Sequence, residues 1–290
     1  MTTTLFDLTY QVAREITTVR EGTASGGSST TIVDAVRTEP NDYWNSGIAW
    51  IVYVPAAAAP EGQFSIINDF DQLTYTITLN TTLTGNVINL SRYAISNRMF
   101  PLDILRQCVN RALFDLGKVP TTDITTIDTA TNQTEYDLPI GANLDLREVW
   151  LEMNVDDDDD YRWRKQYNWY VQRTAIGTAD KLVLPYQWPS DREVKLVYVA
   201  PHDEMNLYSD KLSESIPPER IVYRAAYHAL RWYWKRNPRE TAAEDDMNRY
   251  ENIAIKYEID SPIKIPQRTG KIVMYGGHDD YTFTPGKVRL

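Results

Sequence analysis

The chain has little of what marks an enzyme, a membrane protein or a secreted disulfide scaffold. Its 290 residues include one cysteine, Cys108, so no internal disulfide framework can form. Cys108 falls at an apolar-periodic helical position, which predicts a buried thiol. The three histidines, His202, His228 and His278, are far apart in sequence and have no spacing that gathers a zinc site. No window approaches the ~18 apolar residues of a membrane-spanning helix. The opening MTTTLFDLTYQVAREI has no basic start before an apolar run, so no signal peptide is expected. G-x-S-x-G, H-E-x-x-H, P-loop and G-x-G-x-x-G patterns are all missing. The pairs Gly26-Gly27 and Gly276-Gly277 have no helical pattern after them and read as turns. An enzyme is therefore not expected, nor a metal or cofactor.

What is present is acid and aromatic surface. The net charge of -10 argues against a protein that grips nucleic acid over a broad face. Aromatic residues make up 11%, with 19 Tyr and 8 Trp, which suits large packed interfaces as well as cores. The five consecutive carboxylates Asp156 to Asp160 lack the alternation, central glycine and closing glutamate of a calcium loop. They read as a solvated hairpin tip, with a mixed basic and aromatic run, Tyr161 to Lys165, beside it.

Helical periods appear in three places. Leu5, Leu8, Val12, Ile16 and Val19 predict an amphipathic helix over 4–19. Pro101 opens a second, over 99–117, whose apolar face is Leu102, Leu105, Val109, Ala112, Leu113 and Leu116; Gly117 and Pro120 end it. Ser215 to Glu258 predicts a helical hairpin. Pro217 and Pro218 suit a first turn, Ser215 is the expected cap, and Asn237-Pro238 makes the corner. Ile221, Ala225, Ala229 and Trp232 line one face of its first helix; Ala243, Met247, Tyr250, Ala254 and Tyr257 line one side of its second. Tyr223, Tyr227, Trp232, Trp234 and Tyr250 are the candidate inter-subunit packing residues. A burial pattern does not say whose surface is covered, so an ordinary core role stays open for them.

Between the helices the character changes to β. Glu21 to Thr31, EGTASGGSSTT, reads as a flexible link or loop. Strands are predicted at 48–54, 64–70, 73–79 and 86–90, forming a small barrel or sandwich. A second β region takes in 134–139, 146–155, 161–171, 181–185 and 193–199. After Asp260 the helical period stops, yet Ile263, Ile265, Ile272, Val273, Tyr275, Tyr281 and Phe283 dot the remainder. Such an arm is built to dock, on another subunit or back on its own chain. The expected division is residues 1–20 as a bundle helix, 21–95 as the first β module and 96–120 as a further bundle helix. The second β module follows at 121–205, the helical hairpin at 206–260 and the docking arm at 261–290. The expected fold class is α+β, a helical-bundle core carrying two β-barrel or sandwich-like insertions and an extended C-terminal arm.

The stretch Gly22 to Tyr53 resembles a segment of tailed-bacteriophage structural proteins, in which a Gly/Ser/Thr loop leads into "VD" and a "DYWN-G" strand entry. The matching residues are Val33-Asp34, Asp42-Tyr43-Trp44-Asn45 and Gly47. The helical parts and the arm are similar to phage head–tail adaptor, head-completion or neck proteins. That resemblance implies a virion protein at the head–tail interface that forms a ring, twelve-fold in the family. Its implied partners are the portal protein, neighbouring copies and the next neck or tail protein, with DNA passing through non-specifically and no membrane. No binding residue carries over individually. The chain departs from the family by its length and its two β regions, so adaptor, stopper and tail terminator all stay open. The alternative is a receptor- or carbohydrate-binding virion module, with Trp163, Trp169 and Trp188 as stacking residues.

Overall fold

A computed structural model describes residues 2–139, 142, 145–153, 162–174, 179–269 and 271–274. The chain divides into two compact units, Met1–Leu116 with Asp203–Pro262, and Gly117–His202 with Ile263–Leu290.

In the first unit, helix α1 (Leu5–Ile16) starts at a reciprocal cap. Thr4 accepts from the Asp7 N–H at 3.3 Å, and Asp7 accepts from the Thr4 N–H at 2.8 Å. Seven strands follow: β1 (Val19–Thr23), β2 (Gly26–Gly27), β3 (Thr31–Val33), β4 (Ile48–Tyr53), β5 (Phe64–Asp71), β6 (Thr76–Leu79) and β7 (Arg92–Ser96). They form one sheet in the order β1-β7-β4-β5-β6-β3-β2. The two end strands, β1 and β2, are one stretch of chain interrupted only by Ala24 and Ser25. Ala24 N–H bonds to the Ser91 carbonyl and Ser25 N–H to the Val33 carbonyl, both at 2.8 Å, so the sheet closes on itself. Inside lie Ile32, Trp44, Ile51, Ile67, Phe70, Ile77 and Ile95, all buried.

Helices α2 (Leu102–Asp115), α3 (Pro218–Arg236) and α4 (Thr241–Asp260) complete this unit, with α3 packed on α1, α2 and α4. Pro217, not the expected Ser215, takes the cap position of α3, with no side-chain hydrogen bond. Cys108 is buried in α2, and burial pushes its thiol up to about 12, so it is no nucleophile at neutral pH.

In the second unit, β8 (Lys118–Asp123), β9 (Glu135–Asp137), β10 (Leu146–Glu152), β11 (Trp163–Gln166), β12 (Tyr170–Arg173), β13 (Lys181–Val183), β14 (Val194–Pro201) and β15 (Lys271–Met274) make two four-stranded sheets. Their orders are β11-β10-β14-β8 and β15-β12-β13-β9. Val149, Leu151 and Leu196 of one sheet and Val171 and Leu182 of the other share a single core with Trp169.

The expected helical-bundle core is overturned. The described chain is mixed and mostly β, in largely antiparallel sheets, and the helices share their unit with the closed sheet. Trp50 of β4 donates its indole N–H to Thr9 of α1 at 3.3 Å and lies 5.8 Å from the Tyr10 ring. The helical period identified which face of α1 is apolar; it carries no information on whether a helix or a sheet covers that face.

The segment expected as a flexible link or loop, Glu21 to Thr31, supplies the end of β1, all of β2 and the start of β3, with short loops between them. Gly27 has φ 151°, and a Cβ there would stand 2.3 Å from the Thr31 carbonyl oxygen, so this glycine serves a tight β2–β3 reversal. The last strand of the barrel is Arg92–Ser96, not 86–90, and the run expected at 161–171 divides into β11 and β12.

Candidate functional site

The resemblance residues build a corner of the closed sheet. Asp34 is buried, and its carboxylate accepts from the Tyr93 hydroxyl at 2.6 Å and from the Val36 N–H at 3.0 Å. Arg37, also buried, donates from Nε to the Tyr93 hydroxyl at 2.8 Å and from Nη2 to the Glu21 carbonyl at 3.2 Å. It pairs with Asp34 and Glu39, each at 3.5 Å. Arg20 reaches the same Glu39 oxygen at 3.0 Å from a half-exposed position. Burial disfavours a charged Glu39, but its own backbone N–H and the two arginines outweigh that and hold it below the usual carboxylate range. Burial also raises the pKa of the Tyr93 hydroxyl, so it stays protonated as a donor. Trp44 lies beneath both guanidinium groups, 5.8 Å from Arg20 and 5.9 Å from Arg37. Asp34, Trp44 and Gly47 therefore fix the fold. Arg37 and Tyr93 escaped notice in the sequence, since Tyr93 stands 59 residues from Asp34 and no local pattern links them.

A cavity of about 500 Å³ is lined by Thr4, Phe6, Asp7, Val52, Glu61 and Gln63 among others. Its polar groups are already engaged: Asp7 in the α1 cap, Glu61 accepting from the Val54 N–H at 2.9 Å, and Gln63 with Thr84. No group of three or more His, Cys, Asp or Glu residues is placed to hold a metal ion among the described residues. Nor is any described helix long and apolar enough to cross a membrane.

Of the three tryptophans expected to stack on sugar, one is buried and two are half-buried. Trp169 is 1% exposed and donates to Thr269 at 3.2 Å. Trp188 packs against the core of the second unit. Trp163 is half-buried, with Arg162 5.4 Å and Lys195 5.7 Å from its ring.

The aromatic residues of the hairpin find partners in their own chain. Tyr223 lies 6.3 Å from the Tyr250 ring and 5.0 Å from Tyr257. Tyr250 is buried and donates to Glu15 at the C-terminal end of α1, 2.9 Å from its carbonyl and 3.0 Å from its carboxylate. Trp232 lies 6.5 Å from Phe100 under the Arg236 guanidinium. Tyr227 and Trp234 are half-buried.

The arm is paired within its own chain over its described part. Thr269 N–H bonds to the Arg147 carbonyl at 2.9 Å, and Arg268 bonds to Asp145 and to the Leu146 carbonyl. Strand β15, which holds Ile272 and Val273, runs parallel to β12. Ile263 is half-buried and Ile265 exposed. Tyr275, Tyr281 and Phe283 lie outside the described residues, as do Asp156 to Asp160.

What the helices leave uncovered is the more telling surface. Only Ala243, Tyr250 and Ala254 are buried among the twenty residues of α4, while Ile255 and Ile259 are 43% and 72% exposed. On the α2–α3 side, Asp115 collects three cationic or titratable neighbours: His228 at 2.8 Å, Arg224 at 3.2 Å and Arg111 at 3.4 Å. Phe114 beside them is 73% exposed. Burial depresses the His228 pKa; its bond and attraction to Asp115 oppose this, and the two arginines reinforce it. A depressed folded-state pKa means the unfolded chain binds the proton more readily. The stabilisation is thus complete above the ordinary histidine value of about 6.5 and is lost as pH falls through the folded pKa. Urea midpoints measured between neutral and mildly acid pH should fall with pH, and His228→Gln should flatten that fall.

No protein-family model matches the chain, and no curated protein sequence matches it.

Proposed function

We propose that the chain is a structural virion protein of a tailed phage, forming a ring in the neck that joins portal to tail and lets DNA pass. The observation that carries a self-assembling role is the bare face of α4. A twenty-residue helix with three buried residues leaves two isoleucines exposed, and covering them would add apolar burial. The Gly22–Tyr53 resemblance supports a phage virion as the assembly, and the helices with the following arm support the neck. A net charge of -10 suits a channel wall past which DNA slides, because strong phosphate contacts would hold it. In this reading the residues beyond Met274 dock on the portal or a neighbouring copy. The sugar-binding alternative is not favoured, since Trp169 is buried and Trp163 is flanked by cations.

The test is electron cryo-microscopy of the intact particle, with the chain identified by its aromatic side chains. Density as a ring between capsid and tail is the expected result. Density at the tail tip or on the capsid exterior would overturn the reading.

A further inference from the structure

The two helices of the hairpin carry opposite charge. Helix α3 has five basic residues and one acidic, and α4 has six acidic and two basic. Neighbouring helices of opposite sign would normally bridge one another, yet among the described residues no ion pair joins α3 to α4. Arg220 of α3 donates to the Ser261 carbonyl at the end of α4 at 3.5 Å, but most of each set faces outward. On α3, Arg231 and Lys235 are exposed and extend the stripe of Arg224 and His228 by further turns. Arg111 and the exposed Phe114 of α2 flank that stripe at Asp115, whose one carboxylate is shared by Arg111, Arg224 and His228. This face is cationic with one large apolar knob. On α4, Glu244, Glu251, Ile255 and Ile259 follow one another at seven-, four- and four-residue steps, so they line one stripe, acidic in its first half and apolar in its second. Glu244 and both isoleucines are exposed and Glu251 is half-buried. Helix α3 lies between α2 and α4, so the two faces belong to different sides of the same unit.

We infer that the acidic–apolar stripe of α4 in one copy seats on the cationic α2–α3 face of a second copy, with Ile255 and Ile259 meeting Phe114, and Glu244 and Glu251 meeting Arg231 and Lys235. Different patches meet, so the contact is head-to-tail and repeats from copy to copy, closing into a ring if the rotation allows. Each copy supplies one of each face, and every interface covers the helix side that the single chain leaves bare. The inference rests on the ring reading and names the surfaces that hold the ring together.

Charge exchange tests it. One variant carries Arg231→Glu and Lys235→Glu; the other carries Glu244→Lys and Glu251→Lys. Each alone places like charges opposite one another and should raise the concentration needed for association about tenfold or more. Mixed together they restore opposite charges at every contact, and association should return, read by native mass spectrometry and sedimentation. Recovery on mixing also shows that both variants are folded. A wild-type ring indifferent to both pairs of substitutions, or a mixture that fails to recover while each variant keeps the wild-type circular dichroism spectrum and melting curve, overturns this pairing and leaves the ring reading standing. A wild-type chain that stays monomeric also overturns it, and the ring reading then stands or falls on the particle density.

Discussion

Arg37→Ala should cost about 3–5 kcal/mol of folding stability, the range for removing one partner of a buried ion pair. The guanidinium is the hub of the first unit's polar corner: it holds the Tyr93 hydroxyl, the Glu21 carbonyl and the carboxylates of Asp34 and Glu39. Asp34 is 3% exposed, so without Arg37 its charge would have to be held by the Tyr93 hydroxyl and the Val36 N–H. Arg20 supplies the control. It reaches the same Glu39 oxygen but its side chain is 50% exposed, so water takes over when it is removed. Arg20→Ala should therefore cost less than about 1 kcal/mol. Urea denaturation of both variants decides the matter through the shift in midpoint at unchanged slope. Equal, small losses would mean that the corner is wet enough to screen its charges, and that the fold does not depend on it.

Part of this architecture was legible in the sequence, and the boundary has a physical origin. Helices α1, α2 and α3 were found because a 3.6-residue period is a local signal, carried by Leu5, Leu8 and Val12 or by Ile221, Ala225 and Ala229. Their cover was not found, because Thr9 meets Trp50 across 41 residues of chain. Strands β4, β6, β10 and β14 have the apolar content that marks a strand. Strands β1 and β8, VREGT and KVPTTD, do not; their places are set by backbone pairing with β7 and β14. The bundle expectation failed at this point. A segment rich in Gly, Ser and Thr has the composition of a link or loop, and it is instead the seam of a closed sheet that shares its unit with the helices. The candidate site divides in the same way. Asp34, Trp44 and Gly47 stood out as a motif, whereas the arginine and tyrosine that explain Asp34 lie in no pattern. Tyr223, Trp232 and Tyr250 stood out for their size, yet rings of the same chain already meet them. The exposed Phe114, Ile255 and Ile259 were passed over, because an exposed apolar residue on a helix has no signature until its neighbours are placed.

The motif's last residue makes the sharpest demand on the backbone, and Gly47→Ala is expected to cost more than about 3 kcal/mol of folding stability. A Cβ at position 47 would stand 2.1 Å from the Ser96 carbonyl oxygen and 2.8 Å from that of Trp44. Both obstacles are main chain, so no side-chain rotation relieves them. Ser96 cannot retreat freely, since it is paired with Val19 on one side and Ile48 on the other. Shifting it would disturb β1, β7 and β4 together, at the place where α1 leads into the sheet. Overpacking in a well-filled core costs about 1–3 kcal/mol when side chains can adjust, and more when they cannot. Against a typical total of about 5–15 kcal/mol, a loss above about 3 kcal/mol removes a large share of the stability. The same substitution at Gly26, where a Cβ meets nothing within 4 Å, should change stability by less than about 1 kcal/mol. Soluble yield and urea midpoint for the two variants distinguish a position that needs bare backbone from a glycine of mere convenience. A Gly47→Ala protein that melts like the wild type would show that the β4–β7 contact is looser than 2.1 Å implies, and that the strand entry tolerates a side chain.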